Sequence, residues 1–559
     1  MRNILLIAIT FVFSLGLFAQ TEKHVVFLKN KDNNPYSLSN PLAFLTQRSI
    51  DRRTKSNIAL DLKDLPVTPS YVAQIAATGA TVVYPLKWFN AVVVNTNSST
   101  VLAAISALPF VDHIDQVLAD KPVATGIKSG TQAIEGIPPF TISNAGPVTS
   151  VKSTGTINYG MAYNQAHMIS VDGLHSLGYQ GEGMMIAILD AGFNRVDQVS
   201  AFDSLWLNNR ILGTRDFNQP GNNVYADSMH YHGTMVLSTM GANLPGQIVG
   251  TAPHASFWLI RTEVGWYEEL IEEYNWAGGA EFADSLGADV INSSLGYTEF
   301  GTAANSHTYA SMDGNTTPVT RAADLAASRG ILVVNSAGND GANAWHYISA
   351  PADGDSVFTL GAVDWQGSYA YFSSTGPTFD RRIKPDVVTQ GQGSTVVSPD
   401  GSVGQGSGTS FSSPIMAGAL ACLWQSTPAF SAEQLRVAVR NTASKAFTPD
   451  SLYGYGIPNV MNARLFLATT DSGPIETETF TLGPIPFAAN PILIGNLKSS
   501  EKITIETFSV SGKLMISKTM MAQPFTAVTL SEFNTLPAGV YLLRITSGTS
   551  RQVIRAVKI

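Results

Sequence analysis

The chain has 559 residues, 44% hydrophobic and 14% charged, with 34 basic against 42 acidic side chains and a formal net charge of −8. That much apolar material excludes a disordered chain, and at roughly 150 residues per domain it leaves room for about three or four domains. No basic block occurs, so no nucleic-acid partner is expected, and the single cysteine, Cys422, excludes both an intrachain disulfide and a cysteine-ligated metal site.

Arg2 precedes an uncharged apolar run from Ile4 to Phe18, followed by Ala19 and Gln20. The run is shorter than the roughly 20 residues that span a bilayer, and its pattern is that of a secretory signal peptide over 1–19, cut after Ala19. Residues 20–121 then alternate strands and helices in a small α+β unit. Strands are predicted at 24–29, Thr81–Tyr84, Phe89–Asn95 and Val111–Val117, and helices at 41–55 (carrying Arg48, Arg52 and Arg53), 70–79 and near Thr100–Ala107. From 122 to 156 the composition turns to Gly, Pro, Ser and Thr without periodicity, as in a linker or processing segment.

Residues 157–468 repeat one pattern. Apolar runs predicted as strands (Met184–Leu189, Phe257–Arg261, Asp289–Asn292, Ile331–Asn335, Val357–Val363) alternate with Ala-rich helical stretches (Gly233–Ala242, Trp276–Leu286, Thr320–Arg329, Ser412–Trp424). Continuous apolar strands separated by helices predict an α/β domain, a doubly wound parallel sheet covered by helices on both faces. Ligands in such domains bind at the carboxyl ends of the strands. After Thr469–Pro474, residues 479–559 carry short strands and glycine turns, which predicts an all-β sandwich.

Three segments of the α/β region carry chemistry. The first strand ends in Asp190-Ala191-Gly192, His232-Gly233-Thr234 opens a helix, and Gly408-Thr409-Ser410 opens another. Each alone reads as a turn or helix cap. Together, in the order Asp, His, Ser, they are the parts of an acyl-transfer site. A serine hydroxyl needs an imidazole to take its proton, and the imidazole needs a carboxylate to fix its tautomer. The oxyanion needs fixed donors, for which the Asn339 amide and the Ser410 backbone N–H are placed.

With Ile291–Gly296, Ser336–Asn339, Phe372–Pro377, Lys384–Val387 and Gly408–Pro414, the region resembles the subtilisin-like (subtilase) family of serine peptidases. The resemblance implies Asp190, His232 and Ser410 as a catalytic triad and Asn339 in the oxyanion hole. It also implies that Ser294-Leu295-Gly296 and Ser336-Ala337-Gly338 pair with an extended protein or peptide substrate. Thr389-Gln390-Gly391 departs from the family's usual Ala-Pro-Gly. No cofactor is required by this chemistry and no metal ligand is assigned; a structural calcium ion stays open, with no ligand set that can be mapped.

Residues 20–121 resemble in element order the inhibitory propeptide of subtilases, which implies an intramolecular inhibitor cut off between 118 and 156. Asn490-Pro491, Phe508–Gly512, Leu536–Tyr541 and Val557–Ile559 resemble the sorting domain of cargo for the type IX secretion system of Bacteroidetes. That implies dealings with outer-membrane secretion machinery and a secreted or surface location. The expectation is a monomeric secreted serine endopeptidase. A non-enzymatic surface scaffold and an esterase are the alternatives. The stretch Tyr297–Pro318 is either a cover for the groove or a surface loop.

Overall fold

The computed structural model describes residues 22–118, 157–470 (apart from 266–267, 302 and 447) and most of 479–558. The signal peptide expected over 1–19 and the processing segment expected over 122–156 lie outside the described residues.

The first unit runs β1 (Lys23–Leu28), α1 (Gln47–Lys55), α2 (Pro69–Ala77), β2 (Thr81–Leu86), β3 (Ala91–Asn95), α3 (Ser99–Ser106) and β4 (Val111–Leu118). The strands form an antiparallel sheet in the order β2-β3-β1-β4. The helix predicted from 41 is shorter than expected. Pro41 opens only a 3-10 turn, and the α-helix starts after Thr46, whose side chain caps the N–H of Ser49. Side chains alternate across a strand, so a valine run buried on both sides feeds two cores. Val26, Val92 and Val94 pack with Ile75 and Ile105 of the unit's own helices. Val25 and Val93 face the other way, into a cluster shared with the central domain.

The central domain is built on seven parallel strands: β5 (Met185–Asp190), β6 (Ile211–Asp216), β7 (Ser256–Arg261), β8 (Val290–Ser293), β9 (Leu332–Ser336), β10 (Phe358–Val363) and β11 (Val387–Gln390). Their order is β11-β10-β9-β8-β5-β7-β6. Five of the seven match the predicted strands. The two missed, β6 and β11, are the edges; β6 holds Gly213 and is only partly buried along most of its length, so its sequence lacks the apolar run of an inner strand. Ile186 and Ile188 of β5 meet α7 (Thr409–Ser426) on one face. Ala187 and Leu189 meet α5 (Ile271–Leu286) and α6 (Pro318–Ser328) on the other. α7 is buried around its whole circumference from Thr409 to Trp424, which explains its lack of a polar face. α4 (His232–Gly241) lies beside it, and α8 (Ala432–Thr442) and α9 (Val460–Thr470) complete that layer.

The first unit docks on α5. The backbone N–H groups of Lys87 and Trp88 donate to Glu281 (2.7 and 2.8 Å). Arg52 (2.6 Å), Arg53 (3.0 Å) and Lys87 (3.0 Å) converge on the Asp284 carboxylate. Burial pushes the Glu281 carboxyl up to about 7. Burial acts the same way on Asp284, but its three cations outweigh it and hold that carboxyl well below the usual range.

Beyond 479 a three-stranded sheet (Thr479–Gly483, Ile492–Asn496, Thr526–Thr529) faces a four-stranded one (Leu514–Ala522, Glu501–Ser509, Gly539–Ser547, Ser550–Lys558). Ile503, Ile505, Leu543, Ile545 and Phe533 fill the sandwich between them.

Candidate active site

Asp190 ends β5, which sits inside the sheet, and His232 starts α4. Glycines bring the two together. Gly233 N–H donates to Gly192 O (3.0 Å), and a methyl group on Gly233 would come within 2.4 Å of that oxygen. Gly192, at φ +154°, would in turn carry a side chain into the His230 backbone. This close approach puts His232 Nδ1 2.8 and 3.0 Å from the two oxygens of Asp190. Asp190 Oδ1 also accepts the N–H of Ala191 (2.7 Å). The carboxylate is fully buried and the imidazole 2% exposed, so water hardly competes for the pair.

Ser410 lies in the first turn of α7, with the Phe411 ring 6.3 Å from the His232 ring. Its Oγ donates over 3.4 Å to Ser294 O, a long bond that is easily given up. Behind it a chain of buried polar groups runs from Ser413 Oγ to Asn292 Oδ1 (2.9 Å), from Asn292 Nδ2 to Ser294 Oγ (3.3 Å) and from Ser294 Oγ to Ser410 O (2.9 Å). The departure at Thr389 fits the same helix, its hydroxyl donating to Ser412 O (2.8 Å).

Asn339 follows β9. Its Oδ1 accepts the Thr409 N–H and hydroxyl, which leaves Nδ2 on the side of Gly408, 3.7 Å from where a Cβ there would stand. Thr409 was not singled out in the sequence, although it lies inside the Gly-Thr-Ser segment; its contribution is visible only once Asn339 is beside it.

The two segments expected to pair with substrate lie side by side, tied by Asn335 Nδ2 to Leu295 O (3.1 Å) and Ser336 O (2.8 Å). They are not equivalent. Ala337 N–H is given to Leu360 O, and Ala337 O accepts Ser349 N–H. Gly338 N–H goes to Thr409 Oγ1 and Gly338 O accepts Ser374 N–H. Among the described residues the Gly296 N–H and C=O take no such partner. The backbone groups of Ala337 and Gly338 are therefore engaged inside the protein, unlike those of Gly296. The stretch Tyr297–Pro318 is packed down: His307 bonds Glu273, and Tyr309 stacks on Tyr347 at 3.8 Å.

One group of three carboxylates among the described residues, Glu263, Glu268 and Glu272, places oxygens within 4.8 Å of one another. Tyr297 OH donates to Glu263 (2.7 Å), and the N–H groups of Val264 and Glu269 donate to Glu272. His230 Nδ1 accepts the His232 N–H (3.2 Å). Cys422 is fully buried against Thr251 O, and burial pushes its thiol far above the usual range, as suits an inert core residue.

Residues 181–456 match the model of the subtilase family (peptidase S8). Residues 23–133 match the peptidase S8 propeptide domain of Bacteroidota, and 489–559 a secretion system C-terminal sorting domain. The chain is 31% identical over 315 residues to subtilisin E of Bacillus subtilis (strain 168), covering 55% of this chain and 71% of the relative. It is similarly 31% identical over 315 residues to subtilisin J of Geobacillus stearothermophilus, with the same coverage. Against subtilisin DY of Bacillus licheniformis it is 30% identical over 313 residues, 55% of this chain and 97% of the relative.

Proposed function

The chain belongs to the subtilase family and is a serine endopeptidase; we propose that Ser410 is its nucleophile, His232 its general base and acid, and Asp190 the carboxylate that orients His232. The observation that carries this reading is the 2.8 Å contact between His232 Nδ1 and a fully buried Asp190. With Nδ1 so engaged, Nε2 is the nitrogen left to take the Ser410 proton. Attack of Ser410 Oγ on the scissile carbonyl then gives a tetrahedral oxyanion, held by Asn339 Nδ2 and the Ser410 N–H. His232 returns its proton to the leaving amine, and the acyl-enzyme remains. Water, activated by the same imidazole, releases the second product. Side chains and backbone alone supply each step.

The substrate lies along Ser294–Gly296 as an added strand, with Ser336–Gly338 as the facing wall. The first unit blocks the groove until it is cut away in the segment between 118 and 156, acting as the enzyme's own inhibitor. The C-terminal sorting domain marks the chain for export across the outer membrane, to the cell surface or the medium. No helix among the described residues is long and apolar enough to cross a membrane. The exported enzyme acts on extracellular protein as a monomer.

The test is labelling of the purified, processed protein by a fluorophosphonate probe, with Ser410→Ala beside the wild type. Labelling that is lost in the variant supports the assignment. A processed wild-type protein that does not label overturns it and favours a scaffold.

A further inference from the structure

We propose that Arg261 is a positioning residue for the reaction, clamping the turn from which the Asp190 carboxylate is presented to His232. The inference rests on Asp190 being the carboxylate of the triad. Arg261 ends β7 and pairs in register with Asp190 across the sheet. Arg261 is 6% exposed, and its guanidinium makes three bonds to three different segments: Nε to Ala191 O (3.1 Å), Nη1 to Asp216 Oδ2 (2.9 Å) at the end of β6, and Nη2 to Val264 O (3.2 Å).

Ala191 is the residue that matters. Its N–H donates to Asp190 Oδ1 (2.7 Å) and its C=O accepts from Arg261, so it is held at both ends. The next carbonyl, Gly192 O, accepts Gly233 N–H and so carries α4 with it. The carboxylate and the helix that bears the imidazole are therefore both registered against a turn that Arg261 pins from below. Asp216 keeps the guanidinium in place and is itself fixed by the Gln219 N–H (2.8 Å). Only a planar fork reaches a carbonyl on one side and a carboxylate on the other; an ammonium at the same place has neither the reach nor the geometry. The charged groups around this site are Asp190, Asp216, Glu272, which accepts the Val264 N–H (2.6 Å), and, from the first unit, Lys23, which donates to Asn218 O (2.9 Å) and leaves when that unit is removed.

The test compares processed wild-type enzyme with Arg261→Met, Arg261→Lys and Asp190→Asn, with kcat expressed per site titrated by a fluorophosphonate. A misplacement of about 1 Å at the reacting groups costs on the order of 10²-fold in rate. The expected result for Arg261→Met is a loss of that size in kcat with KM unchanged. Arg261→Lys recovers only part of the loss. Wild-type kcat in the Arg261 variants overturns the inference, as does a loss confined to KM or to melting temperature. If Arg261→Met does not fold, Arg261→Lys decides alone: about a tenfold loss in kcat supports the role and wild-type kcat removes it. An unaffected Asp190→Asn overturns the triad itself, whereas damage there with intact Arg261 variants overturns only this proposal.

Discussion

Thr409 donates its backbone N–H to Asn339 Oδ1 at 2.8 Å, and its hydroxyl lies 3.0 Å from the same oxygen. The residue beside Ser410, the proposed nucleophile, thus decides which way the Asn339 amide points. An asparagine amide has an acceptor end and a donor end, and occupying the acceptor end leaves the donor end for the reaction. Asn339→Ala should lower kcat by about 10²–10³-fold with little change in KM, the cost found for removing one side-chain donor from the oxyanion hole of subtilisin. Steady-state kinetics on a short peptide ester and amide would check it; a change confined to KM would assign Asn339 to ground-state binding.

Thr409→Val removes the hydroxyl but keeps the N–H and the shape. One neutral hydrogen bond is worth about 0.5–1.5 kcal/mol, so kcat should fall by roughly 2–10-fold, and Thr409→Ser should restore it. Equal loss in both variants would instead point to packing of the methyl group.

Gly233→Ala brings a methyl group within 2.4 Å of Gly192 O, and backbone must move to accept it. Overpacking of this kind costs about 1–3 kcal/mol, and displacing α4 separates His232 from Asp190. The variant should melt at lower temperature and lose on the order of 10²-fold in kcat/KM at temperatures where it is still folded. Wild-type turnover in a destabilised protein would show that the two motifs tolerate separation.

Docking of the first unit should weaken as pH rises. Glu281 has an ordinary value of 4.5 and, buried under Lys87 and Trp88, is raised to about 7. Below about 4.5 the carboxyl is protonated whether docked or free, and its contribution is complete. Between about 4.5 and 7 the free carboxylate must take up a proton or be buried charged, so affinity falls and then levels off above 7. A shift of this size bounds the effect at about two orders of magnitude. Dissociation of the cleaved unit, followed by size exclusion or fluorescence at pH 5 and pH 8, would measure it. Glu281→Gln should flatten the dependence; an unchanged slope in that variant would assign it to another group.

What the sequence made legible follows from how local each signal is. The inner strands β5, β7, β8, β9 and β10 are apolar runs with no rival reading, and Asp190, His232, Ser410 and Asn339 each sit at the end or start of such an element. The edge β6 escaped because it is only partly buried and its pattern is diluted, whereas β11 is buried throughout but is only four residues long, Val387–Gln390, and half of them are polar. Glu281 and Asp284 were hidden for a different reason. They sit on the buried side of α5, where charge would normally argue for solvent, and only a second domain bringing Arg52, Arg53 and Lys87 explains them. The fixed peptide groups of Ala337 and Gly338 depend on Leu360, Ser349, Ser374 and Thr409, contacts between segments that no spacing announces.

The strand order of the central sheet also bears on how quickly it can form. Its seven strands are all parallel, so no neighbouring pair can close through a tight turn, and every pairing waits for a crossover of many residues. Such non-local closure is slow, and the exposed edges of a half-built sheet invite aggregation. The first unit is antiparallel, emerges earlier in synthesis and presents its basic side chains to α5, the helix between β7 and β8. A folded unit that captured α5 would hold in place the crossover on which the middle of the sheet depends, and would turn that search into docking on a surface that already exists.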